Sequence, residues 1–121
     1  MPDYPFITLR AVLGPETMLG AGKAELLEGI VETGSIAAAG RRMGMSYKRA
    51  WYLIDTLNGY FRTPLVTSSK GGRGGGGATL TETGRTVLTL YRRLQGRAEA
   101  AVSAELHALA ALAAVEPAPK A

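Results

Sequence analysis

No cysteine occurs anywhere in the 121 residues, which excludes disulfides and thiolate metal sites. Histidine occurs once, as His107, inside an alanine- and leucine-rich run. A single imidazole without nearby partners makes a poor metal site, so a surface or packing role is expected and no metal or cofactor is assigned. Long apolar runs are also missing. The opening "MPDYPFITLR" carries Asp3 and lacks the apolar stretch of a signal peptide. "AEAAVSAELHALAALAA" is mostly alanine and is interrupted by Glu99, Glu105 and His107, too weakly apolar for a span of about 20 residues. A cytoplasmic protein without a membrane partner is expected. Paired carboxylates, a nucleophile beside a base and a ligand cluster are all absent from the pattern, so an enzyme is not expected.

Acidic residues are scarce in one region only. Between Arg41 and Arg97 there are eleven basic residues against Asp55 and Glu82, a balance of +9. The first 40 residues carry five acids against Arg10 and Lys23, a balance of −3. Such asymmetry points to a polyanionic partner for the middle of the chain, with a solvated basic face as the plain alternative. The hydrophobic fraction of 46% is enough to build a core.

"FITLRAVLG" mixes β-branched and apolar residues and predicts a strand ending at Gly14-Pro15, with Ile7, Leu9, Ala11 and Leu13 on one face. "GPETMLGAG" reads as a loop or short turn. "KAELLEGIVETG" predicts a first helix, with Leu26, Leu27, Ile30 and Val31 inward and Gly34 as its left-handed stop. Ser35 caps a short second helix, "IAAAGRRMG", in which Ala39 and Gly40 leave room for another helix to cross closely. Gly44 closes it, Met45 bridges the corner and Ser46 caps a third helix, "YKRAWYLIDTLNGYF". There Ala50, Ile54, Leu57 and Phe61 form the inner stripe, and Trp51 is expected in the core between helices and hairpin. "LVTSS" and "ATLT" predict a β-hairpin around the glycine-rich "KGGRGGGG". From Thr81 a single long helix is expected to residue 116, too long to bury itself and therefore a candidate dimerisation element, followed by a disordered tail over 117–121.

Helix, tight corner, helix and basic hairpin is the order of a winged helix-turn-helix, a mainly α (α+β) fold with an N-terminal strand and a long C-terminal helix. Residues 1–80 would form the DNA-binding unit and 81–116 the dimerisation helix. Ser46, Tyr47, Lys48 and Arg49 occupy the projecting first turn of the third helix, and Tyr52 follows one turn later. Such a helix end suits the major groove of double-stranded DNA. Lys48 and Arg49 would read guanine edges or clamp phosphates, both pointing to the side of the glycine hairpin. Ser35, Arg41 and Arg42 are candidate phosphate contacts from the supporting helix. Lys70 and Arg73 would sit on the wing, where glycines allow close backbone approach. A nucleotide-binding loop fits poorly, because Gly77 is followed by Ala78-Thr79-Leu80 and not by lysine and Ser/Thr. A flexible linker remains the simpler alternative for the glycines.

"TGSIAAAGRRMGMSYKRAWYLIDTLN" and "LVTSSKGGRGGGGATLTETG" resemble the DNA-binding half of ModE-type molybdate-responsive transcriptional regulators. The supporting helix is also similar to that of LysR-type regulators. The likeness covers roughly Phe6 to Arg97. It implies a homodimer on DNA, with Ser46 to Arg49 on the recognition helix and Gly71 to Gly77 on the wing. Full-length members carry C-terminal oxyanion-binding domains, whereas this chain reaches only Ala121, so the expectation is that the molybdate site is not in this chain. A protein-interaction module, its long helix docking a sensor or partner subunit, is the alternative function.

Overall fold

A computed structural model describes residues 4–69 and 77–114. In chain order it contains β1 (Arg10–Gly14), β2 (Thr17–Gly20), α1 (Ala21–Thr33), α2 (Ile36–Arg42), α3 (Tyr47–Tyr60), β3 (Val66–Ser68), β4 (Ala78–Leu80), α4 (Glu82–Ala101) and α5 (Ser103–Leu112). This is the mainly α winged helix-turn-helix that the sequence predicts. Lys70, Arg73, Gly71 to Gly76 and the tail over 117–121 lie outside the described residues.

The core is a single apolar cluster. Leu26, Leu27 and Ile30 of α1 meet Ile36 and Ala39 of α2 and Ala50, Ile54 and Leu57 of α3. Leu65, Val66, Ala78 and Leu80 close it from the β3–β4 side, and Tyr91 of α4 closes it from above. Gly34 caps α1 in the left-handed region at φ 70°, donating its N–H to the Ile30 carbonyl at 2.8 Å. Val31, expected inward, is exposed in the last turn of α1, beyond the reach of the packed neighbours.

The α2–α3 crossing sets the spacing of the domain. A Cβ placed on Gly40 would lie 2.7 Å from the Ala50 Cβ, closer than van der Waals contact permits. Gly44 turns the chain at φ 72°, a conformation glycine adopts without a Cβ penalty. Met45 donates its N–H to the Gly40 carbonyl at 3.0 Å and packs against the core, as its place in the corner predicts.

The N-terminal region departs from the sequence reading. Residues 17–20, read there as loop, form a second strand paired antiparallel with β1. Pro15-Glu16 makes the two-residue turn, with proline fixing its own φ. The pairing shifts between Val12 and Gly14, so the expected alternation holds at Ile7, Leu9 and Ala11 but Leu13 faces solvent. The long C-terminal helix also divides. Val102 adopts φ −107° and ψ 9°, and α5 restarts at Ser103. No glycine or proline marks the break, but a β-branched residue followed by serine is a locally weak helix former.

Tyr91 ties α4 to the N-terminal segment by donating its phenol proton to the Leu9 carbonyl at 2.8 Å. Burial pushes this phenol above its ordinary value, against an opposing pull from the Arg92 guanidinium. The unfolded phenol therefore ionises first as pH passes about 10. Stability present below that pH is lost as pH rises further. Urea melts between about pH 8 and pH 11 should show a steeper alkaline loss for the wild type than for Tyr91→Phe. A second test concerns packing. Gly40→Ala should destabilise the fold by about 1–3 kcal/mol through overpacking. Gly59→Ala, in α3 with nothing near its added methyl, should be neutral or stabilising by up to about 1 kcal/mol. Thermal denaturation of both variants gives the comparison.

Candidate nucleic-acid interface

Two serines start the two helices of the motif. Ser35 Oγ accepts from the Ala38 N–H and Ser46 Oγ accepts from the Arg49 N–H, each at 3.1 Å. These are N-caps, and each satisfies a backbone donor that the helix cannot. Each hydroxyl keeps its own proton to donate. Because Ser46 fixes the start of α3, residues 47–52 form its projecting first turns.

Buried Ala50, Ile54 and Leu57 define the inner face of α3. Opposite them, at about 100° per residue, run Lys48, Tyr52, Asp55 and Gly59, all exposed. Lys48 and Tyr52 are neighbours one turn apart on this outer ridge, and Tyr52 is 62% exposed. Asp55 follows on the same ridge and restricts favourable phosphate contact to the first two turns. A carboxylate there can accept from a cytosine amino group instead.

The flanks of α3 differ. One carries Tyr47, Trp51 and Asn58. Asn58 Oδ1 accepts from the Leu65 and Val66 N–H groups at 2.9 and 3.1 Å, and its Nδ2 donates to the Val66 carbonyl at 3.1 Å. This side chain binds α3 to the base of the wing. Trp51 lies two turns earlier on the same flank. It is not a core residue as expected: it is 36% exposed, and its ring meets Tyr47 edge-on at 6.2 Å between centroids. Ala50 and Ile54 already fill the interior, leaving the indole at the edge between helix ridge and wing. The other flank carries Arg49, about 200° around the helix from Trp51. Arg49 is exposed, but it lines a groove with Arg10 and Met18 of the N-terminal hairpin and so turns away from the wing side. Lys48 and Arg49 thus do not point the same way.

The wing base is anchored twice. Beside Asn58, the Ala78 N–H donates to the Gly34 carbonyl at 2.9 Å, linking β4 to the end of α1. Ser69 and Gly77 then close the described part of the hairpin, the Ser69 N–H donating to the Gly77 carbonyl at 2.9 Å. On the supporting helix Arg41 is exposed, while Arg42 pairs with Glu32 of α1 at 2.5 Å. Both partners of that pair are about half exposed, and it is worth at most about 1 kcal/mol. Glu32 nonetheless competes with any phosphate for Arg42. Asn58, which ties α3 to the wing base, and the exposed Trp51 are the residues of this flank that periodicity alone misses; the only signal is a polar residue and a large aromatic just off the apolar stripe.

No group of three or more His, Asp or Glu able to hold a metal ion occurs among the described residues. No helix among them is long and apolar enough to cross a membrane.

Residues 23–85 match the model of the family described as bacterial regulatory helix-turn-helix protein, lysR family. The chain is 44% identical over 78 residues to the molybdenum-pterin-binding protein MopA of Rhodobacter capsulatus, covering 64% of this chain and 29% of that one. It is 44% identical over 79 residues to the molybdenum transport protein ModE of Azotobacter vinelandii, covering 65% and 29%. Over 69 residues it is 41% identical to the DNA-binding transcriptional dual regulator ModE of Escherichia coli K12, covering 57% and 26%. The chain therefore spans under a third of the length of these relatives. A solved LysR family transcriptional regulator shares the fold at a TM-score of 0.51 and 20% identity, over 69% of this chain and 26% of that one.

Asn58→Ala should leave two wing N–H groups without their acceptor and cost about 1–3 kcal/mol. Amide hydrogen exchange at Leu65 and Val66 should quicken more than exchange at Ala39. Uniform quickening would show that Asn58 supports the whole fold and not the wing.

Proposed function

Since the chain belongs to the lysR family of bacterial regulatory helix-turn-helix proteins, we propose that it is a sequence-specific regulator of transcription that binds double-stranded DNA as a homodimer. The observation that carries this reading is the outer ridge of α3. It presents Lys48 and Tyr52 from a helix whose start is capped and whose inner face is locked into the core.

In this reading α3 enters the major groove. Lys48 and Tyr52 face the bases, Tyr47 and Trp51 fill the side toward the wing, and Arg49 attends the opposite side. The Ser35 and Ser46 hydroxyls and Arg41 contact phosphates, with Arg42 joining when it exchanges Glu32 for a phosphate. Lys70 and Arg73 supply the wing contacts that the glycines allow. The unit through residue 80 binds DNA, and the segment over 81–116 pairs two copies. Exposed Leu90 and Leu94 on α4 and Leu109 and Leu112 on α5 support that pairing. A two-fold dimer would place its half-sites about 34 Å apart or a multiple of that. The names of the relatives concern molybdenum, and the proposed operator is accordingly one whose use responds to an oxyanion. No residue of this chain is assigned to hold that ion. The function is binding, without catalysis, in the cytoplasm.

Duplexes selected from a random pool by the wild-type chain provide the test. Lys48→Ala should weaken binding to the selected duplex by about 1–3 kcal/mol, or roughly 5- to 150-fold, and change random duplex binding much less. Equal affinity of wild type and variant for the selected site would remove α3 from base readout.

A further inference from the structure

The first 40 residues contain only two basic side chains, Arg10 and Lys23, and both line one open groove together with Arg49 of α3. The groove has a volume of about 930 Å³ and runs between the β1–β2 hairpin and the flank of α3 that faces away from the wing. Met18, Met45 and Leu53 form much of its floor, and no carboxylate lines it among the described residues. Neither of the two ion pairs among the described residues involves its three cations. The Arg10 guanidinium donates to the Met18 sulfur at 4.0 Å, a contact that leaves its charge in place. Lys23 Nζ lies 3.5 Å from the Met18 carbonyl and 5.2 Å from the centre of the Tyr60 ring, contacts that orient the ammonium without neutralising it. Of the three acids of α1, Glu28 pairs with Arg92, Glu32 pairs with Arg42, and Glu25 lines a different cavity on the side of Arg92.

Three cations without an ion-pair partner on one side of α3 make that side suited to an anionic occupant. A duplex whose major groove holds α3 presents a phosphate strand on each side of that helix. The wing, held to α3 by Asn58, attends one strand. We propose that the groove formed by Arg10, Lys23 and Arg49 attends the other, so that the N-terminal hairpin is a second phosphate-binding arm opposite the wing. This rests on the reading that α3 enters the major groove. Arg10, on the exposed strand β1, makes the outer contact. Arg49 bridges between helix and backbone, and Lys23 supplies a fixed charge at the rear of the groove. The contacts are to phosphate oxygens and carry no base information, so they add affinity to every duplex alike.

Binding of the full-length chain to a selected and a random duplex, followed by fluorescence anisotropy across a salt series, tests the arm. Arg10→Ala should make the slope of log affinity against log salt shallower by about one unit and weaken both duplexes by a similar factor. Arg10→Lys should keep the wild-type slope, because charge is what is required. Arg10 is exposed, so its replacement leaves the core in place, which an unchanged thermal melt verifies. Ethylation interference should show phosphates on the strand away from the wing whose effect disappears in Arg10→Ala. A steep wild-type slope that Arg10→Ala leaves unchanged overturns the arm while the placement of α3 stands. Loss confined to the selected duplex at an unchanged slope also overturns it, making Arg10 a base reader. A wild type without salt-dependent duplex binding overturns both the arm and the reading beneath it.

Discussion

The contact between Gly40 and Ala50 is the constraint on which the rest depends. Two helices approach there until no further methyl fits between them. With α2 and α3 held at that distance, the Gly44 turn and the Met45 plug leave one path for the chain, and Ser46 marks where α3 begins. Displacing α3 outward would loosen Ile54 and Leu57 from the core and separate Asn58 from the wing base. Close packing makes this all or none: an interior at crystal-like density has no slack to absorb a shifted helix. The orientation of the Lys48–Tyr52 ridge is thus a consequence of a small residue on the other helix.

Around this crossing the flanks of α3 are braced by different chemistry. On the wing side the brace is a set of three hydrogen bonds from one amide side chain, which fixes direction as well as distance. On the hairpin side it is adaptable: thioethers, methylene stems and an ammonium over a phenol ring. Methionine fills irregular gaps without demanding one geometry. One flank is therefore fixed in direction and the other packed by groups that tolerate several geometries, a difference that bears on how the proposed DNA complex would fit.

The elements with strong local signals were legible in the sequence. Caps at Ser35 and Ser46, the stop at Gly34, the corner at Gly44 and the stripe Ala50, Ile54, Leu57 all express rules acting within one or two turns, and the structure places them where the residues predict. The β1–β2 hairpin was not, because "TMLG" is four residues long with a single β-branched member and takes its pairing from its neighbour. The break at Val102 was hidden for the opposite reason: nothing there forbids a helix, and a slight local weakness decides. Trp51 was misplaced because its size suggested the core, whereas the angle set by Ala50 and Ile54 puts the indole on a flank. The positions of Lys48, Arg49 and Tyr52 on the first two turns of α3 were legible, but the opposite directions of Lys48 and Arg49 are a matter of about 100° per residue and of what lies beside each flank. That the isolated cations Arg10 and Lys23 converge on Arg49 requires the fold.

Charge distribution completes the argument for a polarised surface. The sequence separates an acidic first third from a basic middle, and folding might have mixed them into a neutral whole. Folding does so only in part: Glu28 and Glu32 pair with Arg92 of α4 and Arg42 of α2, both from that basic middle. Those pairs are surface pairs and contribute little stability. Their effect is on the field: they take up two acids of α1 and leave Arg10, Lys23, Lys48 and Arg49 outside any ion pair among the described residues, with Asp55 the one carboxylate on α3. At physiological salt, charges more than about 8 Å apart are largely screened, so a polyanion responds to this local arrangement more than to the net charge of the chain. A modest total of +4 is then compatible with a locally cationic surface around α3, on which Asp55 is the one carboxylate the helix itself carries.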